Sequence, residues 1–62
     1  MSIPNMILKK LIEFRVQVHY QSGVVDTGIL EDCDEQWIQL RKENDEMLYI
    51  ATVNVRLVKA LT

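Results

Sequence analysis

The sequence predicts a mainly β fold, a short N-terminal helix followed by a strongly bent five-stranded antiparallel sheet that forms a small open barrel. Three observations predict it. Apolar residues recur at helical spacing over the first dozen positions, the period then changes to two, and clusters of turn-forming residues divide the remainder into five short runs. Nothing separates these runs into further units, so the reading is one domain over 1–62, with the helix over 1–13 and the sheet over 14–60.

In the helical segment Ile3, Ile7 and Leu11 repeat along one stripe that Leu8 and Ile12 widen, Ser2 or Asn5 supplies a cap, and Pro4 suits a first turn. A helix this short does not hold in water alone and must dock. From Phe14 the chain alternates: Phe14, Val16 and Val18 face one way, Arg15, Gln17 and His19 the other. Gln21-Ser22-Gly23 turns the chain, with Gly23 suited to positive φ, into a second strand over 24–30. Gly28 inside that strand marks a sharp bend or bulge where the sheet curls. Glu31-Asp32-Cys33-Asp34-Glu35 reads as an acidic turn, Gln36–Leu40 as a third strand with Ile38 and Leu40 inward, and Arg41–Glu46 as a solvated turn in which Asn44-Asp45 tolerate the left-handed conformation. Met47–Ile50 and Val55–Ala60 complete the sheet, the last strand placing Val55 and Leu57 on one face and forming an open edge.

Size and charge bound the function. A chain of 62 residues buries only about 60% of the surface its unfolded form exposes, so domains of this length commonly lean on a disulfide, a metal or another subunit. The single cysteine, Cys33, closes no internal bridge, and Cys33 with His19 falls short of a tetrahedral zinc site, which leaves self-association as the expected source of extra stability. Ordinary apolar content and a net charge of −2 exclude disorder, and the length excludes a multidomain enzyme. The Lys9-Lys10 pair breaks the N-terminal apolar stretch, so neither a membrane span nor a signal peptide is expected, and a cytoplasmic location follows. The charge is segregated: +2 over 1–20, −5 over 26–35, −1 over 41–46 and +2 over 47–62. No Lys/Arg cluster exceeds a pair, which is a weak electrostatic signal for nucleic acid.

No nucleophile, base and oxyanion set is present, so no catalytic residue, cofactor or metal is assigned. The carboxylates of 31–35 lack the spacing of a calcium-binding loop and read as a solvated turn. Cys33 among four acids has its thiolate disfavoured by like charge. Trp37 reads as core or subunit interface more than as a stacking platform, Asp34 as a turn-former accepting backbone N–H bonds, and Tyr49 as a cross-strand packing residue.

The pattern Val16-x-Val18, Gly23, Gly28-x-Leu30, Asp34, Trp37-Ile38-x-Leu40, then Met47-Leu48-Tyr49 and a final apolar strand resembles the Sm-like family, and within it the bacterial Hfq type. The resemblance covers roughly positions 5 to 60. It implies an Sm-like, SH3-like open barrel whose fourth strand pairs with the fifth strand of the next copy, giving a homo-oligomeric ring of about five to seven subunits. It also implies single-stranded RNA as a partner, in an RNA chaperone or RNA-metabolism role, with Asp34, Gln36 and Tyr49 at the inner rim and His19, Gly23 and Thr27 on the opposite face. The chain departs from that pattern at the nucleotide pockets. Gln36 replaces an aromatic, Tyr49-Ile50-Ala51 replaces a Tyr-Lys-His run, Asp26 brings negative charge to an apolar position, and Val55-Arg56-Leu57 has the Arg of the second motif without its Gly. These departures imply altered or weak RNA specificity; the alternative is a structural or protein-interaction module that keeps the oligomeric barrel without binding RNA.

Overall fold

The computed structural model describes residues 8–61. Five strands, β1 (Arg15–Tyr20), β2 (Val25–Cys33), β3 (Trp37–Arg41), β4 (Met47–Ala51) and β5 (Val55–Ala60), form one antiparallel sheet in the spatial order β4-β3-β2-β1-β5. The helix expected over 1–13 falls largely outside the described residues. The part within them contributes one 3-10 turn, Lys9–Leu11, preceded by a buried Leu8.

β4 and β5 are consecutive in the chain yet stand at opposite ends of the sheet, joined by a 3-10 turn at Thr52–Asn54. In a flat sheet four inter-strand steps of about 4.8 Å would hold them some 19 Å apart. A 3-10 link rising about 2 Å per residue covers roughly 8 Å. The sheet therefore curls until its two ends approach at that corner. Among the described residues β4 pairs only with β3 and β5 only with β1, so the sheet remains open.

β2 carries the curl, and it runs three residues further than its apolar pattern suggests. A bulge between Leu30 and Asp32 shifts the register, so Asp32 stands opposite Gln39 while Cys33 turns inward opposite Ile38. Glu31, Asp32 and Cys33 thus belong to the strand and only residues 34–36 make the turn. The bulge sits at Glu31 and not at Gly28. Gly28 serves a different need: a Cβ there would lie 2.5 Å from the Arg41 carbonyl oxygen and 3.1 Å from Leu40 Cγ, so the close approach of the end of β3 to β2 leaves no room for a side chain.

Alternation delivers Val16, Val18, Leu30, Ile38 and Leu40 to a fully buried centre, completed by Leu8, Cys33, Ile50 and Val55. Each large aliphatic contributes about 2 kcal/mol on burial, a sizeable share of what a domain this small can hold in reserve. Two inward positions differ from the alternating pattern. Phe14 is 47% exposed. The backbone reverses just before it, at Glu13 with φ 77°, where Glu13 N donates to Leu30 O at 2.7 Å and Leu30 N donates to Phe14 O at 3.1 Å. On β5 an irregularity opposite His19 and Tyr20 shifts the register: Val55 pairs with Tyr20, Leu57 with His19 and Val58 with Val18. Val55 and Val58 consequently face the core and Leu57 faces out.

The turns use the chemistry their residues favour. Gly23 takes φ 93° and donates its N–H to Tyr20 O at 3.0 Å. Asp45 takes φ 65° in the β3–β4 turn and donates to Lys42 O at 3.0 Å, while Asn44 Oδ1 accepts from Glu46 N at 3.0 Å.

Gly28→Ala is expected to cost about 2 kcal/mol, because the atom it meets is backbone and cannot swing aside, which lowers Tm by roughly 10 °C in a domain of this length. Glu13→Gly acts in the opposite sense, relieving a left-handed conformation worth about 1 kcal/mol to a residue with a side chain, and raises Tm slightly. Thermal melts of the two variants test both; a Gly28→Ala protein as stable as wild type would show that β3 does not press on β2.

Candidate functional site

The β2–β3 turn is built around Asp34. Its Oδ1 accepts N–H bonds from Gln36 at 2.8 Å and Trp37 at 2.7 Å, and its own N–H donates to Trp37 O at 2.8 Å. Those two backbone donors, Gln36 first, hold the Asp34 carboxyl below its usual pKa. A second clamp comes from Thr52. Its hydroxyl donates to Glu35 O at 2.8 Å and its N–H to Gln36 O at 2.9 Å, tying the turn to the link between β4 and β5. Thr52 is the buried polar residue of the described structure, and its position directly after an apolar strand is the only sequence signal for it.

Register brings Asp32, Gln39 and Tyr49 into one cross-strand row, with Trp37 two residues along β3 on the same outer face. Together with Cys33 and Asp34 they line a shallow groove of about 230 Å³. Two of the expected inner-rim residues, Asp34 and Tyr49, therefore meet in one groove, whereas Gln36 does not line it. Trp37, read from sequence as core or interface, is 49% exposed here, and Tyr49 is 65% exposed. Two aromatic faces thus stand beside two carboxylates. Cys33, which also lines the groove, has its thiol pKa raised by burial first and then by the charge of Asp32, with Lys9 pulling the other way before Asp34 adds to the rise.

On the other side of the sheet's long axis the structure separates the remaining residues. His19 and Thr27 share the outer face of β1 and β2, with Gln17 between them: Gln17 pairs with Thr27, and its Oε1 lies 2.8 Å from His19 Nε2. Gly23 lies in the turn beyond. Thr27 lines a cavity of about 320 Å³ with Arg15, Gly28, Ile29, Arg41 and Lys42, which His19 and Gly23 do not reach. Each of those cations is bridged, Arg15 to Glu43 at 3.3 Å, Arg41 to Glu31 at 2.8 Å and Lys42 to Asp26 at 3.0 Å.

Asp26, whose charge looks misplaced in the sequence, is the centre of a half-buried network. The Tyr20 hydroxyl donates to its Oδ2 at 2.7 Å and Lys42 Nζ to its Oδ1 at 3.0 Å. Both bonds, Tyr20's first, lower the Asp26 pKa. Tyr20 is pushed from 10.0 to about 12, by burial and then by the Asp26 bond and charge.

Among the described residues no group of three or more His, Cys, Asp or Glu is placed to hold a metal, and no helix is long and apolar enough to cross a membrane. Comparison with known proteins returns no match: no family model, no curated relative and no solved structure aligns with the chain.

The Tyr20–Asp26 pair makes stability depend on pH at both ends. Tyr20's folded pKa is raised, so its contribution is whole below pH 10 and is lost as pH climbs through about 12. Asp26's is lowered, so its contribution is whole above the ordinary carboxylate pKa and is lost as pH falls through the depressed value. Tyr20→Phe is expected to cost about 1 kcal/mol at pH 7 and to flatten the alkaline loss. Urea unfolding between neutral pH and pH 12 checks this; equal alkaline slopes in variant and wild type would remove Tyr20 as the cause.

Proposed function

We propose that this chain is a cytoplasmic, non-enzymatic, Sm-like and SH3-like barrel that works as an assembly and protein-interaction module. Its open edges pair between copies, β4 of one with β5 of the next, into a homo-oligomeric ring of about five to seven subunits. The observation that carries the reading is the strand order. Both unpaired edges belong to one curled sheet and meet at one corner, across the Thr52–Asn54 link. An exposed edge is a template for strand addition, and a head-to-tail arrangement that closes by rotation leaves none exposed. It also supplies the buried surface that so short a chain lacks.

RNA binding by the same ring is the second reading, favoured by the cluster of Arg15, Arg41 and Lys42 around the cavity that Thr27 lines. Its weakness is that every one of those cations already holds a carboxylate, so a phosphate must displace one to gain a contact.

Light scattering at micromolar concentration is expected to give a mass several times that of one chain, and a monomer at all concentrations would overturn the ring. Fluorescence anisotropy with oligo-U and oligo-A at low salt is expected to show no shift. A shift that Lys42→Ala or Arg15→Ala abolishes would transfer the assignment to RNA.

A further inference from the structure

The groove beside β4 is lined by Asp32, Asp34, Trp37, Gln39 and Tyr49, with no Lys or Arg among its residues. Asp32 and Asp34 take part in none of the three ion pairs of the described residues. Each commits Oδ1 to backbone N–H groups, Asp32 to that of Cys33 and Asp34 to those of Gln36 and Trp37, which leaves the second oxygen to accept from a ligand. Lys9 is near enough to act on Asp34 yet makes no ion pair with it among the described residues. Carboxylates beside the open faces of a Trp and a Tyr attract a guanidinium or ammonium group and repel a phosphate.

The complementary surface lies on the same chain. β5, the other open edge, exposes Arg56, Leu57 and Lys59, and neither cation is ion-paired among the described residues. Leu57 stands opposite His19 and Lys59 opposite Gln17, on the outer face. That is the face on which Gln39 and Tyr49 stand in β3 and β4, since their neighbours Ile38, Leu40 and Ile50 fill the core. Strand addition continues a sheet, so β5 of a second copy laid on β4 carries its outer-face cation to the groove side.

We propose that the Asp32–Trp37–Tyr49 groove of one copy receives the outer-face β5 cation of the next, Lys59, with Arg56 at the β5 irregularity adding positive charge along the same edge, and that this pairing sets the direction of assembly. The proposal rests on the edge pairing proposed above and adds to it a reason for polarity. Joining β4 to β4 brings two acidic grooves together, and joining β5 to β5 brings two basic edges together. Only β4 to β5 is attractive. Like charge thereby excludes the two isologous dimers that backbone hydrogen bonding alone would allow, and leaves the heterologous, ring-closing contact.

Charge reversal on each side tests it. One variant carries Arg56→Glu with Lys59→Glu, the other Asp32→Lys with Gln39→Lys, all positions outside the fully buried core. Each alone is expected to be folded by circular dichroism and monomeric by light scattering at about 50 mM salt, where a charge reaches beyond 10 Å. An equimolar mixture is expected to assemble with the two variants alternating, because each reversed β5 then meets a reversed groove and each unchanged β5 an unchanged one. Assembly by either variant alone as well as wild type, or a folded mixture that stays monomeric, overturns the charge pairing while edge pairing stands. A wild type that is monomeric in every condition overturns edge pairing itself. Where a reversed variant unfolds, Arg56→Gln with Lys59→Gln replaces it: loss of the salt dependence that wild-type assembly shows supports the pairing, and unchanged dependence overturns it.

Discussion

The three-residue link between β4 and β5 dictates the shape of everything else. Strands at opposite ends of a five-stranded sheet can be joined by Thr52–Asn54 only if the sheet rolls up, and the rolling has to be absorbed somewhere. β2 absorbs it, being the central strand and the longest at nine residues. Gly28 lets the Arg41 carbonyl press against bare backbone, and the extra residue at Glu31 adds twist just beyond. The Arg41 side chain then reaches Glu31 at 2.8 Å, so the residue whose carbonyl needs the glycine also braces the bulge. The rolled sheet closes its hydrophobic face around Val16, Val18, Leu30, Ile38 and Leu40. Its hydrogen-bonding edges stay open, because a five-stranded wrap this tight encloses a core before it meets itself.

Charge follows the same geometry. Carboxylates that lie near β1, the bulge and the β3–β4 turn, Glu43, Glu31 and Asp26, each hold a cation, and Asp26 also holds the Tyr20 hydroxyl. Those that flank the β2–β3 turn, Asp32 and Asp34, are occupied with backbone N–H groups instead. A net charge of −2 therefore conceals a neutralised side and an acidic side. The exposed pairs add little to stability; their effect is to consume the cations that an anionic ligand would need.

Much of this was legible in the residues. The strands, Ile38 and Leu40 as inward positions, Gly23 and Asp45 as left-handed turn residues, and Asp34 as a turn-former all follow from local chemistry, which a short sequence window contains. What was not legible depends on contacts between distant segments. The bulges that bring Cys33 and Val58 inward and turn Leu57 outward arise from how strands stack, and alternation counted along one strand cannot include them. Phe14 fits the alternation of β1 but sits beyond a backbone reversal at Glu13, a residue type that announces no left-handed turn. Asp26 looked like a liability because its partners, Tyr20 and Lys42, lie six and sixteen residues away. The groove is the same kind of case: Asp34 and Tyr49 could be named singly, but Trp37 and Asp32 join them only through strand register.

Thr52 connects the acidic turn at one end of β3 to the corner where the chain passes from one edge strand to the other. Its two hydrogen bonds tie that corner to the backbone of residues 35 and 36. In a closed ring of identical wedges the number of members is set by the wedge angle, and a few degrees separates one integer from the next. In the proposed ring, the hydroxyl and backbone N–H of this one small residue would act as the protractor of the domain.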